Sequence, residues 1–145
     1  MKKILFIITF IALLASYQAN AQAYVKFAEV PVMELKAAKQ FYSYSIAYKA
    51  LDKSTIYLEL KHEDVLVGNS VYDITRAGEK KVILNVTVFN NIKVLEEGSN
   101  YSYTLYMYEG GRNDWTKQAC KTVVVENVRM INRNNKKSIS VNTFD

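Results

Sequence analysis

Residues 95–128 read LEEGSNYSYTLYMYEGGRNDWTKQACKTVVVENV, and this stretch decides the fold class. Tyr101, Tyr103, Leu105 and Met107 share one face of an extended chain, and Ser102, Thr104, Tyr106 and Tyr108 share the other. Alternation with period two is the signature of a half-buried strand. Gly110-Gly111-Arg112-Asn113-Asp114 interrupts it, and the glycine pair supplies the positive φ that a tight hairpin needs. Thr122 to Val128 then reads as a second strand of β-branched residues. Gly98 permits a sharp corner at the entrance, three residues before Tyr101. The stretch is the closing hairpin of an all-β domain.

Working back from it, Asn90 to Glu97 is a crossover, and Lys80 to Phe89 is a strand with Val82, Leu84, Val86 and Val88 on one face. Ala77-Gly78-Glu79 reads as a turn and Val71 to Thr75 as a short strand. Leu66-Val67-Gly68-Asn69-Ser70 reads as a bent or bulged connection. Ile56, Leu58 and Leu60 form an inner face, with Tyr57, Glu59 and Lys61 outward, and His62-Glu63-Asp64 ends that strand. Phe41 to Lys49 is the clearest strand of the front half, placing Tyr42, Tyr44, Ile46 and Tyr48 inward. Lys36-Ala37-Ala38-Lys39 is a turn. Ala23 to Val30 alternates weakly up to Pro31, which has no N–H to give a ladder and marks an edge or a strand switch. Val32 to Leu35 would then resume in another sheet.

The ends differ in composition. Lys2 and Lys3 precede the apolar run Ile4–Ala15, and Ala19-Asn20-Ala21 supplies small residues, so residues 1–21 are expected to be a cleaved signal peptide. The apolar run is short for a membrane span, which needs roughly 20 residues. The expected domain is 22–128, and 129–145 is a basic tail or an added edge strand, with Ser138 to Val141 alternating weakly. Removing Lys2 and Lys3 takes the net charge of the 145-residue chain from +5 to +3. That is too mild to argue for nucleic acid or a membrane surface. Cys120 is the only cysteine, so no disulfide forms within the chain, and a strand position suits a structural thiol.

At least seven strands with turn signals between them predict an immunoglobulin-like Greek-key sandwich of about seven strands. Tyr101 stands where a tyrosine corner belongs, its hydroxyl bonding the backbone a few residues upstream. Leu95-x-x-Gly98-x-x-Tyr101-x-Tyr103 resembles the late-strand motif of fibronectin type III domains. A longer series runs from Tyr42-x-Tyr44-x-Ile46-x-Tyr48 through Ile56-x-Leu58-x-Leu60, Gly68-Asn69-Ser70, Ala77-Gly78 and Val82 to Val88. It ends in Gly98-Ser99-Asn100-Tyr101 and Gly110-Gly111-x-x-x-Trp115. That series, over roughly Leu35 to Val128, resembles the small immunoglobulin-like modules of secreted bacterial glycan-degrading proteins. The resemblance implies a sandwich fold and an accessory role beside a catalytic domain.

Chemistry is sparse. His62 is the only histidine, and a metal site needs several converging ligands. Glu59, Glu63, Asp64, Glu96, Glu97 and Asp114 are the carboxylates that a glycosidase-type pair would draw on, but nothing in their spacing sets two across a cleft. No enzyme, cofactor or metal is expected. Trp115 beside Arg112, Asn113 and Asp114 is the one large ring next to a polar loop, and Tyr106 and Tyr108 extend it along the preceding strand. These six residues are the candidate contact surface, and Tyr57, outward on its own strand, is a further contributor. The expectation is a secreted or periplasmic binding or accessory module that meets a protein partner. The alternative is a carbohydrate-binding module stacking an extracellular glycan on the aromatic edge near Trp115.

Overall fold

The computed structural model describes residues 22–112 and 119–132. They form an all-β protein of eight strands with no helix among the described residues: β1 (Tyr24–Phe27), β2 (Glu34–Lys36), β3 (Phe41–Ala50), β4 (Ser54–His62), β5 (Val65–Ile74), β6 (Gly78–Val88), β7 (Gly98–Glu109) and β8 (Ala119–Ile131). They make one mixed sheet in the order β1-β3-β6-β5-β4-β7-β8-β2. Only β2 and β8 run parallel; every other pairing is antiparallel.

The sheet curls on itself, because its middle is barely stitched. β5 and β6 pair only at Gly68↔Val88 and Asn69↔Thr87. Glycine is required at that point: a Cβ on Gly68 would lie 2.8 Å from the Thr87 carbonyl oxygen, inside van der Waals contact. Two arms result, β1-β3-β6 and β5-β4-β7-β8-β2, and their inner faces meet. Tyr42, Tyr44, Ile46 and Tyr48 from β3, with Leu84, Val86 and Val88 from β6, pack against Ile56, Leu58, Leu60, Tyr103, Leu105, Met107 and Met130. The inner faces read from alternation in β3, β4, β6 and β7 are the buried ones.

Tyrosines tie the two arms across the core. The Tyr44 hydroxyl donates to the Tyr103 hydroxyl, which donates to the Val32 carbonyl at 3.2 Å. The two rings meet edge to face at 5.0 Å, and Phe27 packs on both. The Tyr42 hydroxyl donates to the Lys36 carbonyl at 2.8 Å and touches the Met130 sulfur. Burial raises the pKa of all three, Tyr42 to about 12. A buried hydroxyl without a partner would cost about 1–3 kcal/mol; here each finds one. Tyr101 donates to the Glu96 carbonyl at 2.8 Å, which is the corner expected from its place after Gly98.

Several local expectations are corrected. The described residues hold eight strands, against an expectation of about seven. Residues 66–70 are not a connection: β5 runs unbroken from Val65 to Ile74, with the irregularity confined to a bulge at Val67, opposite Leu60 and Lys61. The β4–β5 hairpin is tight because Glu63 (φ 48°) and Asp64 (φ 67°) both take the left-handed conformation, which Asn-Gly usually supplies. Gly78 opens β6, paired with Ala50, rather than sitting in a turn. β8 continues past Val128 to Ile131, and Arg129–Ile131 pair with β2. Three residues of the expected tail therefore belong to the sheet, and 133–145 lie outside the described residues. So do residues 1–21.

Candidate functional site

The candidate residues that the structure describes sit on the outer face of β4 and β7. These strands pair in register, Tyr57 opposite Tyr106 and Thr55 opposite Tyr108, so their outward side chains are cross-strand neighbours. Tyr57 and Tyr106 stack flat, centroids 5.2 Å apart and planes at 14°. Tyr108 stands edge-on to both, at 6.1 Å from Tyr57 and 5.5 Å from Tyr106. Such geometries satisfy the ring quadrupoles.

Polar groups fix the cluster at both ends. At one end the Tyr106 hydroxyl donates to the Glu59 carboxylate, which also pairs with Lys61 at 3.2 Å. Burial, and then the hydrogen bond to Glu59, raise the Tyr106 pKa. At the other end the Tyr57 hydroxyl donates to the Arg112 carbonyl at 2.9 Å, while the Arg112 guanidinium pairs with Asp73 at 3.0 Å. Burial and the Asp73 charge raise the Tyr57 pKa. The single Thr55 hydroxyl proton is shared between the Gly110 carbonyl at 3.2 Å and Asp73 at 3.4 Å, and the Gly110 amide donates to the Lys53 carbonyl at 2.7 Å, so the start of the hairpin tip is tied to β4 and β5.

Of the six candidate residues, the structure brings together Tyr106, Tyr108 and Arg112. Asn113, Asp114 and Trp115 lie outside the described residues. Tyr57, weighed only as an outlying contributor, is central to the cluster. It faces outward yet is 7% exposed, under Tyr106, Tyr108 and the Arg112 backbone. Glu59 reads as outward beside Tyr57 from alternation, but its bond to Tyr106 and the place of Asp73 depend on cross-strand register, which is long-range information.

The other candidates have local roles. His62 stacks on Tyr101, centroids 4.4 Å apart and planes at 10°. Glu63 accepts from Asn100, and Glu97 accepts from the Asn132 amide at 3.0 Å. Among the described residues no three of His, Cys, Asp and Glu gather in a way that would hold a metal ion, and no helix is long and apolar enough to cross a membrane. Cys120 lies in β8.

No family model matches the chain, and no curated protein matches it. Among solved structures it is similar to a β-glucosidase from Listeria innocua in complex with gluconolactone, at 13% identity and a TM-score of 0.36. The match covers 72% of this chain and 16% of that one, so the chain spans a small part of the enzyme's length. A likeness this low bears on neither fold nor activity.

Proposed function

We propose that the chain is an exported, non-enzymatic binding or accessory module with an immunoglobulin-like Greek-key sandwich fold. It meets a protein partner in the periplasm or at the cell surface through the outer face of β4 and β7. The sandwich reading is supported by the opposition of a three-strand arm, β1-β3-β6, to an arm containing β5-β4-β7-β8, and by the corner bond of Tyr101. It agrees with the resemblance to the immunoglobulin-like modules of secreted glycan-degrading proteins. Export is supported by the sequence of residues 1–21. The non-enzymatic reading rests on the sequence, where no spacing of carboxylates, histidine or cysteine matches a catalytic pattern.

The single observation that carries the contact surface is the tyrosine cluster itself. Three rings are held outside the core in fixed orientations, with an ion pair at either end. Rigid tyrosines add contact area with little further loss of side-chain freedom and are enriched at protein interfaces. Sugar stacking needs an open ring face, whereas Tyr57 and Tyr106 cover one another and Tyr57 is buried. The glycan alternative therefore leans on Trp115.

One experiment separates the readings. The mature chain and its Tyr106→Ala/Tyr108→Ala variant are immobilised and challenged with the exported protein fraction and with soluble polysaccharides. A protein retained by the wild type and lost by the folded variant supports the proposal. Polysaccharide retention favours the glycan module, and equal protein retention by both forms removes this face from consideration.

A further inference from the structure

A second surface lies away from the tyrosine cluster, where β3 faces β2. β1 pairs with β3 only from Ile46 to Lys49, and its ladder ends with the Ala28 amide donating to the Ser45 carbonyl at 2.8 Å. The chain then leaves β3 through Glu29, Val30 and Pro31 and crosses to β2 on the other arm, where the Arg129 amide donates to the Met33 carbonyl at 2.7 Å. The strand switch that gives β2 its place beside β8 thus strips β3 of a partner over its first residues.

The geometry of that bare edge follows from alternation. Along a strand, the N–H and C=O of successive residues point to opposite sides. The Ser45 carbonyl points to the β1 side, and the Gln40 carbonyl points to β6, where it accepts from the Val88 amide at 2.9 Å. Phe41 and Ser43 therefore direct their N–H and C=O groups away from β6, and among the described residues nothing receives them. The Ser43 side chain is engaged separately, with Asn85 on β6.

Beside these groups is a groove. A cavity of about 290 Å³ opens between Leu35, Lys36 and Lys39 on one side and Phe41, Tyr42 and Ser43 on the other. A smaller one of about 60 Å³ continues it along β3 to Ser45, beneath Val30 and Pro31. Part of its rim is apolar: Phe41 is 59% exposed and Val32 55%. Two lysines, Lys36 and Lys39, and one carboxylate, Glu34, line the larger cavity, so its charge is net positive by one.

We propose that this edge is a strand-addition site for an extended segment of a partner protein. The segment runs antiparallel to β3, takes up the line that β1 abandons, and pairs with Phe41 and Ser43. Its side chains are apolar at alternate positions, set against Phe41 and Val32, and its C-terminal end is acidic, beside Lys36 and Lys39. Main-chain hydrogen bonds carry the affinity and the alternate side chains carry the choice, as in other strand-addition sites. An unpaired edge of this kind is otherwise an aggregation hazard, and a dedicated partner resolves it. The site shares no residue with the tyrosine face and does not depend on the reading given to that face.

The test uses the mature chain and an acetylated heptapeptide of alternating threonine and valine ending in two aspartates, with amide hydrogen exchange as the readout. At ten times its Kd, the peptide is expected to slow the Phe41 and Ser43 amides about tenfold, while the Tyr42 and Tyr44 amides, already bonded to β6, stay as they were. A peptide N-methylated at alternate amides is expected to give no protection. Ser43→Pro removes the outward N–H and the exposed hydroxyl bond to Asn85, so the domain should still fold and fail to bind, whereas Ser43→Ala, which loses the hydroxyl alone, should bind like the wild type. Lys36→Glu/Lys39→Glu should weaken binding roughly fivefold. The proposal is overturned if saturating peptide leaves the two amides unchanged or if the N-methylated peptide protects equally. It is also overturned if the free protein already protects them: protection that grows with protein concentration would assign the edge to a second copy, and protection independent of it to the chain's own residues.

Discussion

Tyr44 and Tyr103 meet edge to face between the two arms, while Tyr57 and Tyr106 lie flat against each other on the outside of one arm. Both groups come from alternating strands, both have every hydroxyl bonded, and both contain a ring that is almost fully buried. They differ in what they join. The inner hydroxyls link β3 to β7 and to the β1–β2 crossing, segments far apart in sequence. The outer hydroxyls link neighbours on one arm, β7 to β4 and β4 to the hairpin tip. Burial alone therefore does not mark a structural residue; the question is whether its loss separates the arms.

The largest difference should appear on truncation. Tyr103→Ala removes a fully buried ring and strands the Tyr44 hydroxyl, so it should lower stability by about 3–5 kcal/mol in urea unfolding. Tyr57→Ala should cost less than that, though more than the roughly 1–3 kcal/mol of its two aromatic pairs, because the buried ring and its hydroxyl bond to Arg112 go as well. Equal costs would mean that the outer cluster is as structural as the inner one.

Alkali should sharpen the same contrast. Burial holds the Tyr42 pKa at about 12, against 10.0 for a free tyrosine, and pushes Tyr44 and Tyr103 up as well. The folded chain keeps these protons where the unfolded chain releases them. Stability is then intact below about pH 10 and falls as the pH climbs toward 12, by about 1.4 kcal/mol per pH unit for each such tyrosine. Tyr44→Phe/Tyr103→Phe should make that decline shallower in a series of unfolding curves. Arrest at neutral stability up to pH 12 would contradict the assignment.

Much of this arrangement was legible in the sequence. The inner faces of β3, β4, β6 and β7 follow from alternation alone. The corner at Tyr101 followed from Gly98 three residues earlier. What stayed hidden depended on long-range pairing or on residues in unusual conformations. The β4–β5 hairpin turns on Glu63 and Asp64 without an Asn-Gly pair, so only the second half of β5, from Val71, reads as a strand, and residues 66–70 read as a bent or bulged connection. Tyr57 was read as outward, correctly, but nothing local says that Tyr106 and Tyr108 cover it. Alternation assigns a face and is silent about what lies on that face.

Smaller effects complete the comparison. Tyr101→Phe removes the corner hydrogen bond and should cost about 0.5–1.5 kcal/mol. Asp73→Asn breaks the exposed ion pair with Arg112 and should cost at most about 1 kcal/mol, less in high salt. A larger loss at Asp73 would show that the ion pair anchors the hairpin tip rather than merely flanking the tyrosine face.

The most direct test of the central claim, that the outer cluster is a contact surface, is Tyr108→Ala measured twice: once for unfolding in urea and once for retention of a partner from the exported fraction. The account predicts a folded domain that loses about 1–3 kcal/mol with the aromatic pairs to Tyr57 and Tyr106, together with loss of retention. Undiminished retention, or unfolding of the domain, would contradict it.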